Sequence, residues 1–126
     1  MAYSVSAMLM EGLDPGSFSV YMGTSPEKVE PALAGIRAEL SKLREELVSD
    51  AELSRAKEHL IGTQGIGLQR NGARAGVMAL DACYGLGAEA FLRYPEEIAA
   101  VTAGDVRSAA QRVIDFEREA LAVVGP

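Results

Sequence analysis

Apolar and polar positions alternate with a period of two through most of the first 23 residues. Tyr3, Val5, Ala7 and Leu9 alternate with Ser4, Ser6 and Met8 over residues 2–10, and Phe18, Val20 and Met22 alternate with Ser17, Ser19 and Tyr21 over residues 17–23. Successive side chains of a strand point to opposite faces, so each run predicts a half-buried strand whose serine-bearing face is wet. Between them Leu13-Asp14-Pro15-Gly16 is a turn sequence, with Pro presetting φ and Gly relieving the next position. Together the pieces predict a β-hairpin.

At Thr24-Ser25-Pro26-Glu27 the period changes. Ser25 suits a helix cap, Pro26 the first helical position and Glu27 the positive helix start. Val29, Leu33, Ile36, Leu40, Leu43 and Leu47 then recur at spacings of three and four, with Arg37, Glu39, Lys42 and Arg44 among the charged residues of the other face. This predicts an amphipathic helix of about 20 residues. Ser49-Asp50-Ala51-Glu52 is a capping box that opens a second helix, with Leu53, Ala56, Leu60 and Ile61 on one face. Gly62, Gly65, Gly67 and Asn71-Gly72 follow. Each interior Gly costs about 1 kcal/mol against Ala, so the run predicts close helix packing or a break near Asn71. A third helix over residues 73–84, with Val77 and Leu80 inward, ends at Gly85-Leu86-Gly87. A short helix over residues 88–93 stops at Tyr94-Pro95, and Pro95-Glu96-Glu97 reads as a turn. Thr102-Ala103-Gly104-Asp105 is a second capping box, leading a helix whose Val106, Ala109, Ala110 and Val113 share a face. The run over residues 120–124 reads as a buried strand.

Strands at both ends of a helical block predict an α+β fold, in which an N-terminal hairpin and a C-terminal strand join one antiparallel-rich sheet. Three strands are few for so much helix, and a strand starting at the second residue has no lead-in. Residues 1–126 are therefore read as a single partial domain, with an exposed strand edge through which copies self-associate.

Composition narrows the chemistry. Acidic residues outnumber basic ones 18 to 12, for a net charge of −6, which argues against a nucleic-acid partner. No apolar run approaches the ~18 residues of a membrane span and no signal peptide is evident, so the reading is a soluble, cytoplasmic protein without a membrane partner. One His and one Cys cannot build a multi-histidine metal site. Glu58-His59 resembles the tail of a His-x-x-Glu-His zinc motif, but Arg55 stands where the first His belongs, and His59 is read as a surface or helix-packing residue. Cys83, in Ala82-Cys83-Tyr84 without a partner base, is read as a small buried thiol. Arg70, Asn71 and Arg74 with Asp81 are read as an ion pair or a hydrogen-bonded break, and Glu45-Glu46 and Glu96-Glu97 as solvated faces.

Several segments carry a resemblance when taken in order: Ala2-Tyr3-Ser4-Val5, Gly12-Leu13-Asp14-Pro15-Gly16, Gly23-Thr24-Ser25-Pro26, Leu43-Arg44-Glu45-Glu46, Glu52-Leu53-Ser54-Arg55-Ala56-Lys57, Arg93-Tyr94-Pro95, Val101-Thr102-Ala103-Gly104-Asp105-Val106 and Val123-Val124-Gly125-Pro126. The succession resembles the C-terminal domain of the insulinase/pitrilysin family of zinc peptidases, the group that includes the mitochondrial processing peptidase. The resemblance implies paired α+β domains enclosing a chamber. One domain carries zinc on His-x-x-Glu-His, and the other is metal-free and holds substrate. Lacking that motif, this chain is expected to be the metal-free type, inactive alone, with no cofactor of its own and zinc in the catalytic partner domain or subunit. Tyr3 stands where the family places a tyrosine that hydrogen-bonds a peptide substrate. Its paired Arg belongs seven residues upstream, before Met1, so the resemblance implies a truncated domain without its upstream strands and helix. The alternative is a structural or regulatory domain that holds a catalytic partner without touching substrate.

Overall fold

A computed structural model describes residues 3–10 and 16–125. The expected turn residues Leu13, Asp14 and Pro15 lie outside the described residues. Two strands, β1 (Ser4–Met10) and β2 (Ser17–Gly23), form an antiparallel pair whose register runs from Ser4↔Gly23 to Met10↔Ser17. Val5 faces Met22, Ala7 faces Val20 and Leu9 faces Phe18. Directly opposed residues share a face, so these six form one apolar face, as the alternation predicts. It is more open than a half-buried strand: Val5 is 59% and Leu9 63% exposed.

Five helices follow: α1 (Val29–Glu45), α2 (Asp50–Gly67), α3 (Asn71–Cys83), α4 (Tyr94–Ala100) and α5 (Ala103–Val113). Short 3₁₀ turns occupy Pro26–Lys28, Ala90–Leu92 and Phe116–Arg118. The hairpin and helices make the fold α+β. The C-terminal strand is a correction. Residues 119–125 enter no ladder, the described sheet has two strands, and Leu121, Val123 and Val124 are exposed. An apolar run becomes a strand only where another strand offers free N–H and C=O groups alongside it.

The chain divides into two units, Met1–Leu47 with Val106–Pro126, and Val48–Asp105. In the first, α1 starts later than its cap sequence predicts. Ser25 makes no cap; its hydroxyl instead donates to Glu27 Oε1 at 2.6 Å, which holds that carboxyl below its usual range. Residues 26–28 form the 3₁₀ turn, and Pro31 sits in the first turn of α1, where its missing N–H would have had no helical partner. Val29, Leu33, Ile36, Leu40 and Leu43 are half-buried as the spacing predicts, whereas Leu47 lies past the helix end and is exposed. On α5, Ala110 is buried but Val113 is 55% exposed, and Ile114 just beyond the helix is buried instead. Polar ties bind the C-terminal segment to α1. Gln111 Nε2 donates to the Arg44 carbonyl at 2.8 Å, the Arg44 guanidinium stands 5.5 Å from the Phe116 ring centre, and Arg37 forms a two-pronged ion pair with Glu119.

In the second unit, Ser49 caps α2 by accepting from Glu52 N at 3.3 Å. The half-buried stripe of α2 is Leu53, Lys57, Ile61 and Gln64; Ala56 and Leu60, expected inside, are exposed. Lys57 Nζ donates to the Ala99 carbonyl at 2.8 Å. The glycine run resolves as a break at residues 68–70, not as close packing: a Cβ at Gly62, Gly65 or Gly67 would meet nothing within 4 Å. Helix α3 ends in a Schellman motif, with Leu86 N donating to Asp81 O at 2.9 Å, Gly85 N to Ala82 O at 3.1 Å, and Gly85 at φ +75°. The turn expected at Pro95 is the helix α4, because Pro95 falls within its first two positions and needs no N–H there. The second capping box forms in both directions: Asp105 N donates to Thr102 Oγ1 at 3.2 Å, and Thr102 N to Asp105 Oδ2 at 2.8 Å. Thr102 thereby holds the Asp105 carboxyl below its usual range. Only α5 begins there; its remaining turns belong to the first unit.

Among the described residues only Ala110 and Ile114 are buried hydrophobics. Two separately folded bodies of these masses would expose about 7,800 Å² in all, and the chain exposes 9670 Å². Exposed large hydrophobics stand in both units, among them Val5, Leu9 and Tyr21 in the first and Leu60, Ile66 and Leu92 in the second, and such surface can mark an interface.

The two kinds of glycine give opposite expectations. Gly62→Ala, helical and unobstructed, stabilises the protein by about 0.5–1 kcal/mol, whereas Gly85→Ala, forced to a left-handed φ, costs about 1–2 kcal/mol. Urea unfolding of both variants checks the signs. A second expectation concerns pH. The Arg37 hydrogen bond lowers the Glu119 pKa, so the contribution of this pair is complete above the ordinary carboxylate value near about 4.3 and is lost as pH falls through the lowered folded value. Glu119→Gln should reduce the thermal midpoint slightly at pH 7, and the two melting curves should converge in the acid range.

Candidate functional site

The ladder extends one step beyond β1. Tyr3 N donates to Gly23 O at 2.8 Å, which fixes the Tyr3 backbone against the end of β2. Its side chain is 82% exposed, and among the described residues its hydroxyl meets no hydrogen-bond partner. A phenol fixed by its backbone at the end of a ladder, with its O–H open to solvent, can donate to a carbonyl brought alongside. The serine-bearing face carries Ser4, Ser6, Ser17 and Ser19, but also the exposed Met8, Met10 and Tyr21, so neither face of the hairpin is purely polar. No charged residue occurs in either strand.

Within the same unit a hollow of about 480 Å³ lies between β2, α1 and the segment after α5. Phe18 and Val20 of β2, Leu33, Ile36 and Leu40 of α1, and Phe116 line it. The Arg37–Glu119 pair stands at the same hollow. Sequence reading placed Arg37 on a solvated helix face and did not pair it with a residue 82 positions away. One local signal for the segment after α5 was available: Asp115 accepts from Glu117 N at 3.0 Å, a short-range cap legible in Asp115-Phe116-Glu117.

The remaining chemistry-bearing residues stay apart. His59 is exposed on α2. Cys83 is exposed, which corrects the expected buried thiol; the last turn of α3 packs nothing over it. Asp81 pairs with neither Arg70 nor Arg74 among the described residues, but accepts from Phe91 N at 3.0 Å. Glu96 and Glu97 lie in the first turn of α4, where Arg93 reaches Glu97 at 3.5 Å, and Glu45 and Glu46 end α1, all of them exposed. Zinc does not fit this donor set: one exposed histidine is present, and among the described residues no three His, Cys, Asp or Glu side chains converge. Among the described residues no helix is long and apolar enough to cross a membrane.

Residues 1–60, which span the hairpin, α1 and the start of α2, match the family model described as the peptidase M16 inactive domain. The whole chain aligns, at 36% identity over 131 residues, with an uncharacterized zinc protease of Streptomyces coelicolor, of which it spans 27%. The first 60 residues thus match the inactive domain of this insulinase-like peptidase family, and the chain is similar along its whole length to a zinc protease.

Proposed function

We propose that this chain is the substrate-holding, chamber-forming domain of a zinc metalloendopeptidase whose metal is carried by a catalytic partner domain or subunit. The observation that carries the reading is Tyr3: its backbone is bonded to Gly23 while its hydroxyl stands in solvent. A peptide lying along the hairpin would present carbonyls to that O–H, and a hydrogen bond that strengthens as charge develops on the carbonyl oxygen accelerates its cleavage. The chain contributes no nucleophile, general base or metal ligand to this step. Zinc in the partner domain would supply the activated water, which accords with the similarity to a Streptomyces zinc protease.

A second reading is favoured by the uncovered apolar surface. A domain exposing 9670 Å² could serve only to hold a catalytic partner, without touching substrate. Tyr3→Phe separates the two. In the assembled peptidase, with a zinc-bearing domain present, the substrate-holding reading expects kcat/KM for an unstructured peptide to fall about tenfold or more with the assembly intact. Unchanged turnover would leave only the scaffold role.

The charge-free strands also support self-association through an open strand edge. Each copy carries a net charge of −6 and repels another at most approaches, but the two strands contribute none of that charge and lack the lysines and prolines that protect sheet edges. Light scattering of the purified chain should show mass rising with concentration, and Ala7→Lys in β1 should return it to monomer; a clean monomer at high concentration would refute this.

A further inference from the structure

The second unit holds a hollow of about 510 Å³ that the substrate-holding reading leaves unused. Its volume falls within the ~300–1,000 Å³ range of small-ligand sites. Leu60, Val77, Leu86 and Phe91 supply apolar wall. The wall is pinned by two hydrogen bonds to one residue: Gln64 Nε2 donates to Phe91 O at 3.0 Å, and Phe91 N donates to Asp81 Oδ2 at 3.0 Å. Both bonds are part-buried, so this side of the hollow is pre-formed.

Its electrostatics are one-sided. Asp81 and Glu97 line it, and among the described residues no Lys, Arg or His does. Glu97 is drawn toward Arg93 at 3.5 Å, which leaves Asp81 as the hollow's own charge. An ionised carboxylate has about four acceptor positions, and the described residues fill one of them, through Phe91 N. A half-buried carboxylate beside apolar walls with acceptor capacity to spare can take a charge-assisted hydrogen bond from a donor cation.

We propose that this hollow binds a cation on an apolar stem, an alkyl- or arylammonium or guanidinium group, with Asp81 as the counter-charge and the Leu60, Val77 and Leu86 side chains around the stem. The rival explanation, that Asp81 serves only to pin Phe91, is separable by Asp81→Asn: the amide oxygen keeps the Phe91 bond while the charge is lost.

The test is isothermal titration of the full chain with 4-phenylbutylamine, 4-phenylbutanol and 4-phenylbutanoate, which share a stem and differ in head group. The amine should bind saturably, about tenfold or more tighter than the alcohol, with the carboxylate weakest. Asp81→Asn should lower amine affinity about tenfold and leave the alcohol unchanged, and Val77→Trp should fill the hollow and abolish binding with the helical circular dichroism retained. A capped lysine peptide that competes with the amine identifies a polypeptide side chain as the source of the cation; failure to compete identifies free amines. No amine binding, equal affinity for amine and alcohol in the unaltered chain, or unchanged amine binding in Asp81→Asn overturns the proposal. Because Tyr3 lies in the other unit, none of these outcomes bears on the substrate-holding reading.

Discussion

The ladder between Ser4–Met10 and Ser17–Gly23 is the constraint from which the organisation of the first unit follows. Its register puts Val5, Ala7, Leu9, Phe18, Val20 and Met22 on one face, and Phe18 and Val20 reach the hollow shared with α1. The same ladder reaches one residue further to fix the backbone of Tyr3. A slip of one position would exchange the two faces of a strand, taking Phe18 and Val20 out of the hollow.

Burial contributes less to holding this chain than to most domains of its length, since two buried hydrophobic residues among those described are a small core. Directional contacts carry much of the definition. In the first unit, Arg37–Glu119, Arg44–Phe116 and Gln111–Arg44 fasten the segment after α5 to α1. In the second, Gln64 and Asp81 fasten the Phe91 backbone, and Lys57 fastens Ala99. Exposed ion pairs and single hydrogen bonds are individually worth little; their role is to choose one arrangement among many loose ones.

Legibility in the sequence follows the range of the interaction. The hairpin alternation, the cap at Ser49, the capping box at Thr102 and the Gly85 terminus all appear in the structure because each rests on residues within a few positions of one another. Errors arise where a local rule depends on a distant neighbour. Residues 120–124 have strand composition but no paired strand, and Leu47, Leu60, Leu80 and Val113 have helical spacing but stand exposed with nothing packed over them. Cys83 is open for the same reason. Of the candidate site, Tyr3 was legible only through a family pattern, because no local rule distinguishes it from any other strand tyrosine.

The sequence by itself determined the hairpin, most of the helices and several of their ends, because these depend on period and caps. Tertiary structure alone decided that Arg37 meets Glu119, that Asp81 turns to the Phe91 backbone and not to an arginine, and that the last apolar run stays outside the sheet. Each of these depends on which groups the folded chain brings within hydrogen-bonding reach, and no local pattern specifies a partner ten or more residues away.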